Sequence, residues 1–292
     1  MFLNAQNPMK NLLEKKPVPF KCLEPTPLKT VADLADPQKV AHYQNSIFCH
    51  LKETQIQRNP NFMQIQTEIS PKMRSILVDW LVDVHVKFRL RSQTLFLTVN
   101  LLDNFLEKNV VSRQHLQLVG VTCLMIICKY EEIYPPNLKD YVAVCDNAYT
   151  REQILEIEGQ ILLTVDFDVA RPTVLIFLEL LQNKIGLEPR AYVFANYILE
   201  NTLFDLEMLK YSPHTMVAGT LFLVNKIFKR GGWKPFFQGI VGVPEVTAKL
   251  CAKDLFTTMQ RMENVTLTAL KRKFGTPQNF EVSKYRIERA RN

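Results

Sequence analysis

The chain has 292 residues, of which 47% are hydrophobic and 22% are charged; these values are typical of folded globular proteins and exclude a disordered chain, a collagen and a coiled-coil rod. The net charge is +7, but the residues from 271 onward contribute seven basic and two acidic side chains, a net +5, which leaves +2 for residues 1–270. A folded body that binds nucleic acid shows a basic face, and a net charge of +2 on residues 1–270 does not indicate one. We therefore interpret 266–292 as a solvated basic tail and expect no nucleic-acid partner.

Metal sites and membrane segments have no support in the sequence. The six cysteines contain no CxxC and the five histidines no HExxH, so we expect free cysteines, no metal and no cofactor. The longest apolar run, 116–128, is shorter than the ~20 residues that span a bilayer, and the first residues lack the basic and apolar segments of a secretory signal. We expect a protein of the nucleus and cytoplasm with no membrane partner.

The first predicted elements are an extended arm and a helix. Six of the sixteen prolines lie in the first 37 residues, so 1–35 is predicted to be a Pro-rich extended arm. Asp36 suits a helix N-cap with Pro37 at the first helical position, and apolar residues at helical spacing follow. We therefore predict an N-terminal helix and a linker over 36–69.

An internal repeat with a constant offset of 98 residues follows. Amphipathic segments of helical spacing run to the end of the chain, with almost no strand-like alternation. Segment 76–81 aligns with 174–179, 95–106 with 193–204 and 119–124 with 217–222. The most apolar helix of each unit, which carries Gly120 or Gly219, is placed at the centre of its bundle. The chain is predicted to be all-α, with two five-helix units at 70–168 and 169–265.

No signature of catalysis is visible in the chain. It lacks the GxSxG, GxxxxGK[ST] and GxGxxG patterns that position nucleophiles or phosphate groups. Glu131 and Glu132 are adjacent, so on a helix their side chains point about 100° apart and do not share one proton site. We expect no enzyme activity and look for function in binding surfaces.

The helix predicted over 73–88 carries more apolar surface than one core face requires. At ~100° per residue its apolar side chains form two stripes, about 150° apart. One stripe is Met73, Ile76, Leu77, Trp80 and Val84, and the other is Val78, Leu81, Val82 and Val86. Either a further element buries the second stripe, or one stripe stays exposed as an interaction site. Trp80 beside Asp83 suits a ligand with one apolar and one basic residue.

Five motifs, in order, resemble the cyclin box of mitotic A/B-type cyclins. They are MRSILVDWLVDV (73–84), LQLVG (116–120), KYEEIYPP (129–136), DNAYTREQILEIE (146–158) and FDVARPT (167–173). The resemblance extends over 36–285 and implies two tandem five-helix cyclin folds preceded by an N-terminal helix. It also implies a non-catalytic regulatory subunit that binds and allosterically activates a cyclin-dependent Ser/Thr protein kinase and controls G2/M progression in the cell cycle.

The resemblance implies a kinase-binding set of residues. Lys129 and Glu158 match the cyclin residues that hydrogen-bond kinase backbone beside its mobile regulatory helix. The matching apolar contacts are Ile47, from the N-terminal helix, and Ile126, Tyr130, Leu162 and Phe167. For Ile126 and Leu162, ordinary core packing remains an alternative.

The resemblance also implies a docking patch for substrates and inhibitors that carry Arg-x-Leu motifs. Its residues are Met73, Ile76, Leu77, Trp80, Asp83 and Gln117, with Arg113 and Leu116 at its edge. Position 83 is Asp where many relatives have Glu, so the carboxylate is one methylene shorter and its ion pair with the basic residue of a motif is expected to be weaker.

Two alternative functions and the cyclin subtype remain open at this stage. A twin cyclin-fold transcription factor would show a basic surface along the second unit, and an α-helical scaffold would activate no kinase. Phe177–Leu178–Glu179–Leu180 stands where B-type cyclins tend to carry a basic FLRR run, so A and B types are not separated. No RxxL destruction box precedes the first motif, since the first arginine is Arg58.

Overall fold

The computed structural model describes residues 41–228, 241–263 and 265–285. Within these ranges the regular structure consists of α-helices and short 3-10 helices, with no β-strand, so the predicted all-α class is confirmed. The α-helices are α1 (Gln44–Thr54), α2 (Pro71–Phe88), α3 (Ser92–Lys108), α4 (Leu116–Glu131), α5 (Leu138–Val144), α6 (Arg151–Thr164), α7 (Val174–Ile185), α8 (Pro189–Asn201), α9 (Pro213–Ile227), α10 (Glu245–Glu263) and α11 (Ala269–Phe274). The arm predicted over 1–35 and the helix start predicted at Asp36–Pro37 lie outside the described residues.

The chain divides into two units, one that ends at Cys49 and one that begins at His50. In the first unit a 3-10 turn, Ala41–Tyr43, leads into α1, which carries Ile47. The second unit holds α2 to α11, and therefore both repeats. A helix does precede the first repeat, where the sequence predicts one.

Helix α4 is the centre of the first repeat. Every residue from 118 to 128 is buried, and α2, α3 and α6 pack around this helix. Gly120 permits a close approach, since a Cβ atom there would lie 2.8 Å from Cδ1 of Leu77. The prediction of a central apolar helix is confirmed, because only a helix with neighbours on all sides can bury an apolar surface that runs all round it.

The second repeat reproduces the first. Helices α7, α8, α9 and α10 follow the order of α2, α3, α4 and α6, and α9 is again packed by its neighbours. Gly219 on α9 lies against α10, where a Cβ atom would be 2.7 Å from Sγ of Cys251. The counterpart of α5, 98 residues later, falls mostly outside the described residues. The 98-residue repeat is thus a repeat of structure.

A buried ion pair connects the two repeats. Nε and Nη2 of Arg74 on α2 donate to the two carboxylate oxygens of Asp103 on α3, at 2.6 Å and 2.7 Å, and both side chains are almost fully buried. Nη1 of Arg74 donates to the Leu203 carbonyl, 2.8 Å away in the second repeat. This pair is not evident from the sequence, because an arginine in the first turn of a helix carries no signal of burial.

Local capping fixes where the site-bearing helices begin. The Met73 N–H donates to Oγ of Ser70 at 3.3 Å, and Pro71 occupies the first position of α2. Thr150 and Gln153 form a reciprocal capping box at the start of α6. These contacts satisfy backbone N–H groups that have no partner within the helix.

Residues 266–285 correct the prediction of a solvated basic tail. Helix α11 packs against α2 and α8. Its buried side chains are Ala269, Leu270 and Phe274. Nζ of Lys273 lies 2.6 Å and 2.7 Å from the two carboxylate oxygens of Glu200, which is fully buried. The charge count suggested a tail because the carboxylates that neutralise these basic side chains lie far away in the sequence. Residues 286–292 lie outside the described residues.

Candidate interaction surfaces

The described residues hold no group of three or more His, Cys, Asp or Glu side chains that could bind a metal ion. Their cysteines are free thiols. Burial raises the pKa of Cys128 and of Cys145 to about 11, so both remain protonated and unreactive near neutral pH. No described helix is both long and apolar enough to cross a membrane.

The side chains of Lys129 and Glu158 form an ion pair between α4 and α6. Nζ of Lys129 lies 2.7 Å from Oε1 of Glu158. The Lys129 side chain is 51% exposed and that of Glu158 is 16% exposed. Both groups are therefore within reach of a second polypeptide, which could exchange their mutual hydrogen bond for hydrogen bonds to its own backbone.

Exposed apolar side chains follow each member of this pair along the chain. At the end of α4 they are Tyr130, Ile133 and Tyr134, and at the end of α6 they are Leu163 and Phe167; their exposed fractions range from 53% to 91%. We call these five residues, with Lys129 and Glu158, the platform face. Single exposed apolar residues are ordinary on a protein surface, whereas an exposed apolar patch usually marks an interaction site.

The backbone holds Phe167 away from the core. Asp166 and Phe167 both have positive φ, at 53° and 57°, which is uncommon for residues other than glycine. The Phe167 N–H donates to the Leu162 carbonyl at 2.9 Å and closes the turn after α6. The cost of this conformation is of order 1–3 kcal/mol per residue, and it leaves the aromatic ring 64% exposed.

The predicted kinase-binding residues divide between the surface and the core. Lys129, Tyr130, Glu158 and Phe167 lie on the platform face. Ile126 is buried in the core of the first repeat, which favours the alternative of core packing, and its assignment as a kinase contact stays a prediction. Half-buried Leu162 packs against the same core, and Ile47 lies on α1, in the unit that ends at Cys49.

Three residues of the platform face were not identified from the sequence. Ile133 and Tyr134 are 85% and 91% exposed in the loop after α4, and Leu163 is 71% exposed on α6. Two signals could have found them. Apolar residues directly before Pro135–Pro136 cannot continue a core helix, and two successive leucines on α6 cannot both face one core.

Helix α2 is buried on more than one side. Val78, Leu81 and Val82 of the second stripe are completely buried, whereas Val86 is 47% exposed. In the first stripe Leu77 and Val84 are buried as well. The partner elements are α4, α11 and the 3-10 turn Thr202–Phe204. The alternative in which further elements bury the second stripe is therefore the better description, and the exposed part of the first stripe is small.

The predicted docking patch is partly exposed and partly core. Ile76 is 51% exposed, Met73, Trp80 and Gln117 are half-buried, and Asp83 and Arg113 are exposed. Leu77 and Leu116 are only 6% exposed. Both side chains lie beneath the surface, and Leu77 lies against α4 at Gly120. Their assignment to the docking patch stays a prediction. The exposed members remain available to a ligand.

The carboxylates beside Trp80 already have partners within the chain. Nη2 of Arg272 on α11 donates to both carboxylate oxygens of Asp83, at 2.7 Å and 2.6 Å. Oδ1 of Asp79, one turn earlier on α2, accepts the Ala269 N–H at 3.0 Å. Burial raises the pKa of Asp79, and this backbone hydrogen bond opposes the rise. Neither Asp79 nor Arg272 was singled out from the sequence.

Two family models match the chain in tandem. The cyclin N-terminal domain matches residues 46–170, and the cyclin C-terminal domain matches residues 172–288. The second match includes α11 and thus agrees with its packing in the fold.

Curated relatives are mitotic cyclins of the B type. G2/mitotic-specific cyclin-B2 of Bos taurus is 36% identical over 255 residues, which are 86% of this chain and 64% of that protein. G2/mitotic-specific cyclin-B of Spisula solidissima is 36% identical, over 86% of this chain and 59% of that protein. The protein of the same name from Dictyostelium discoideum is 33% identical, over 87% and 59%. The chain therefore spans less than two thirds of the length of these relatives.

Two solved structures share the fold. A viral cyclin from herpesvirus saimiri superimposes with a TM-score of 0.62 at 20% identity, covering 74% of this chain and 96% of that one. A chain of the yeast RNA Pol II CTD kinase CTDK-1 complex gives a TM-score of 0.59 at 14% identity, covering 73% of this chain and 74% of that one. At these identities the likeness establishes the architecture of tandem cyclin folds.

Proposed function

The chain belongs to the cyclin family, and from this premise we propose that it is the regulatory subunit of a cyclin-dependent Ser/Thr protein kinase, which it binds and activates to drive the G2/M transition. The observation that carries the proposal is the platform face. It combines a partly exposed charged pair with aromatic and aliphatic side chains that no described part of the chain covers.

The composition of the platform face suits a protein partner. Interface centres are enriched in aromatic residues and depleted in charged ones, and this face combines the exposed Tyr130, Tyr134 and Phe167 with one ion pair. Left in solvent, such a pair contributes ~0–1 kcal/mol. When Lys129 and Glu158 are desolvated against backbone groups of a partner, each charged hydrogen bond is worth ~1.5–3 kcal/mol.

The proposed mechanism is a population shift in the kinase. A kinase needs the helix that carries its Lys-pairing glutamate to be turned inward, and a partner that binds this arrangement better than the inactive one raises its population. To move the ratio from 1:99 to 99:1 requires ~5.5 kcal/mol of differential affinity. A few desolvated hydrogen bonds and buried rings on the platform face are sufficient for that amount. The cyclin itself supplies no catalytic group.

A second surface would act on substrates. We propose that the docking patch binds Arg-x-Leu motifs of substrates and inhibitors through the exposed side chains of Ile76 and Trp80. Binding there would raise the effective concentration of a substrate near the kinase active site without changing the chemistry.

The rival function as a DNA-binding factor has less support. Arg272, Lys273 and Lys284 of the basic C-terminal segment each pair with a carboxylate of the chain. Their charges are therefore partly neutralised and cannot serve as a free basic surface for phosphates.

The test is to mix the purified chain with each of several monomeric cyclin-dependent kinases. Phosphorylation of a short peptide that lacks a docking motif is then measured. We expect at least one kinase to form a complex and to gain activity by a factor of ten or more (about 1.4 kcal/mol per factor of ten). A panel with neither complex nor activation would refute the proposal.

A further inference from the structure

The carboxylate of Asp83 forms an acidic end of the docking patch, and a side chain of the same protein already pairs with it. Ile76, Trp80 and Asp83 follow one another at spacings of four and three residues, so they lie along one face of α2. At the end of this row Arg272 donates to both carboxylate oxygens of Asp83, at 2.7 Å and 2.6 Å. A guanidinium therefore already sits where the basic residue of a docking peptide would form its ion pair.

Arg272 is held in this position by the fold. Helix α11 is anchored through the buried side chains of Ala269 and Leu270. The Ala269 N–H donates to Oδ1 of Asp79 at 3.0 Å, and Nη1 of Arg272 donates to Oγ1 of Thr268. A group attached to a packed helix competes as an intramolecular ligand, at a high effective concentration. The basic residue of a free peptide must displace it.

Displacement exchanges one guanidinium for another. The side chains of Arg272 and Asp83 are 58% and 47% exposed, so either ion pair forms near bulk solvent and is weak. The peptide gains an ion pair and the chain loses one, so the net gain from the basic residue is close to zero. At Ile76, where the apolar residue of the peptide would bind, the described part of the chain leaves the side chain 51% exposed.

We propose that Arg272 is a specificity-determining residue of the docking patch: it occupies the acidic end formed by Asp83, so that the patch selects a peptide by its apolar residue and not by its basic one. This inference rests on the proposed docking function. It gives the patch a preference that the motif pattern alone does not predict.

The experiment compares two synthetic peptides, one with an Arg-x-Leu motif (the Arg peptide) and one with Ala in place of that Arg (the Ala peptide). Their dissociation constants are measured on the full chain as wild type, Arg272→Ala, the double variant Arg272→Ala with Asp83→Asn, and Lys249→Ala. Lys249 forms an exposed pair with Glu245 on α10, so its replacement removes the same charge at another place. Circular dichroism of each variant establishes that it is folded.

In the wild type and in Lys249→Ala we expect the two peptides to bind within about twofold of each other. In Arg272→Ala the Arg peptide should bind about twofold to fivefold more tightly than the Ala peptide, as expected for an exposed ion pair. Addition of Asp83→Asn to Arg272→Ala should abolish this preference. Increased salt should weaken it, because the pair is exposed.

The possible failures are distinguishable. If the Arg peptide is preferred equally in the wild type and in Arg272→Ala, docking is real but Arg272 does not set its specificity. The same conclusion follows if Asp83→Asn leaves the preference of the Arg272→Ala variant unchanged. If no folded variant binds either peptide, the docking function itself is refuted, and this inference with it.

Discussion

Nζ of Lys129 lies 2.7 Å from Oε1 of Glu158, and this ion pair joins the last turn of α4 to the middle of α6. Because Lys129 is half exposed, the pair contributes only ~0–1 kcal/mol to folding. Variants at these positions should therefore fold normally, so an effect on kinase binding can be attributed to the surface.

Charge reversal at either position is predicted to weaken kinase binding by roughly tenfold to a hundredfold, since a charged hydrogen bond to a desolvated partner is worth ~1.5–3 kcal/mol. The variants are Lys129→Glu and Glu158→Lys. Their affinity is measured by titrating the kinase with each variant and recording the kinase activity. The double variant restores an ion pair within the chain. It should not restore binding, because the donors and acceptors of the kinase backbone keep their places. Full recovery in the double variant would contradict this assignment.

The apolar residues of the platform face that sequence analysis missed are predicted to be binding determinants. Tyr134→Ser and Ile133→Ser should each reduce kinase affinity by about 2 kcal/mol, roughly thirtyfold, as buried anchors of an interface do. Stability should change little, because both side chains are mostly exposed. Val246→Ser on α10 is the matched control, since Val246 is 70% exposed. Similar affinity losses in all three variants would show that the platform face is not special.

The docking patch and the platform face are predicted to act independently. Ile76→Ser should lower kcat/KM for substrates with an Arg-x-Leu motif by tenfold or more, and for a short peptide without the motif by less than twofold, since docking only raises local concentration. Trp80→Ala should show the same split. Trp80 also packs against the core of the first repeat, so its replacement affects stability more. Ile76→Ser is therefore the more specific test, because Ile76 is exposed. Equal losses on both substrates would argue against a separate docking role.

The buried Arg74–Asp103 pair is predicted to be critical for folding. Arg74→Met leaves a buried carboxylate without its partner, and loss of one member of such a pair costs about 3–5 kcal/mol. The double variant Arg74→Met with Asp103→Leu should lose less free energy of unfolding than Arg74→Met, because no unpaired buried charge remains. Urea unfolding of the three proteins measures the difference. A double variant at least as unstable as Arg74→Met would contradict this account.

Stability is predicted to fall in mild acid through His85. Burial, together with the smaller effect of the Lys273 ammonium, lowers the pKa of His85 to about 3, although the hydrogen bond to the Arg91 carbonyl opposes the shift. The unfolded chain takes up this proton near pH 6.5 and the folded chain only near pH 3. The unfolded state is therefore favoured increasingly as the pH falls from 6.5 towards 3, by about 1.4 kcal/mol per pH unit below pH 6.

The variant His85→Gln isolates this contribution, because glutamine does not titrate. Urea unfolding at pH 7 and pH 5.5 should show the wild type losing about 1 kcal/mol more than the variant over this interval. Parallel pH profiles for the two proteins would mean that His85 becomes charged without loss of the fold.

The sequence predicted well what depends on neighbouring residues. Apolar side chains at helical spacing indicated the all-α class, and the constant offset of 98 residues between similar segments revealed the repeat. The central position of α4 followed from its apolar surface. Lys129, Glu158 and Trp80 were assigned through their motifs, and the structure leaves all three at least partly accessible. The alternation along a helix cannot, however, decide which of two adjacent apolar residues faces out, as Leu162 and Leu163 show.

The sequence by itself thus determined the helices, their duplication and the family, because propensity, capping and amphipathic spacing act over a few residues. Only the tertiary structure decided the partners of the charged side chains. Arg74 meets Asp103 across 29 residues, Lys273 meets Glu200 across 73 and Arg272 meets Asp83 across 189. An ion pair needs only that two charges come together in space, so it leaves no periodic trace along the chain. For that reason a segment that looks like a loose basic tail turns out to be part of the fold and the occupant of an acidic site.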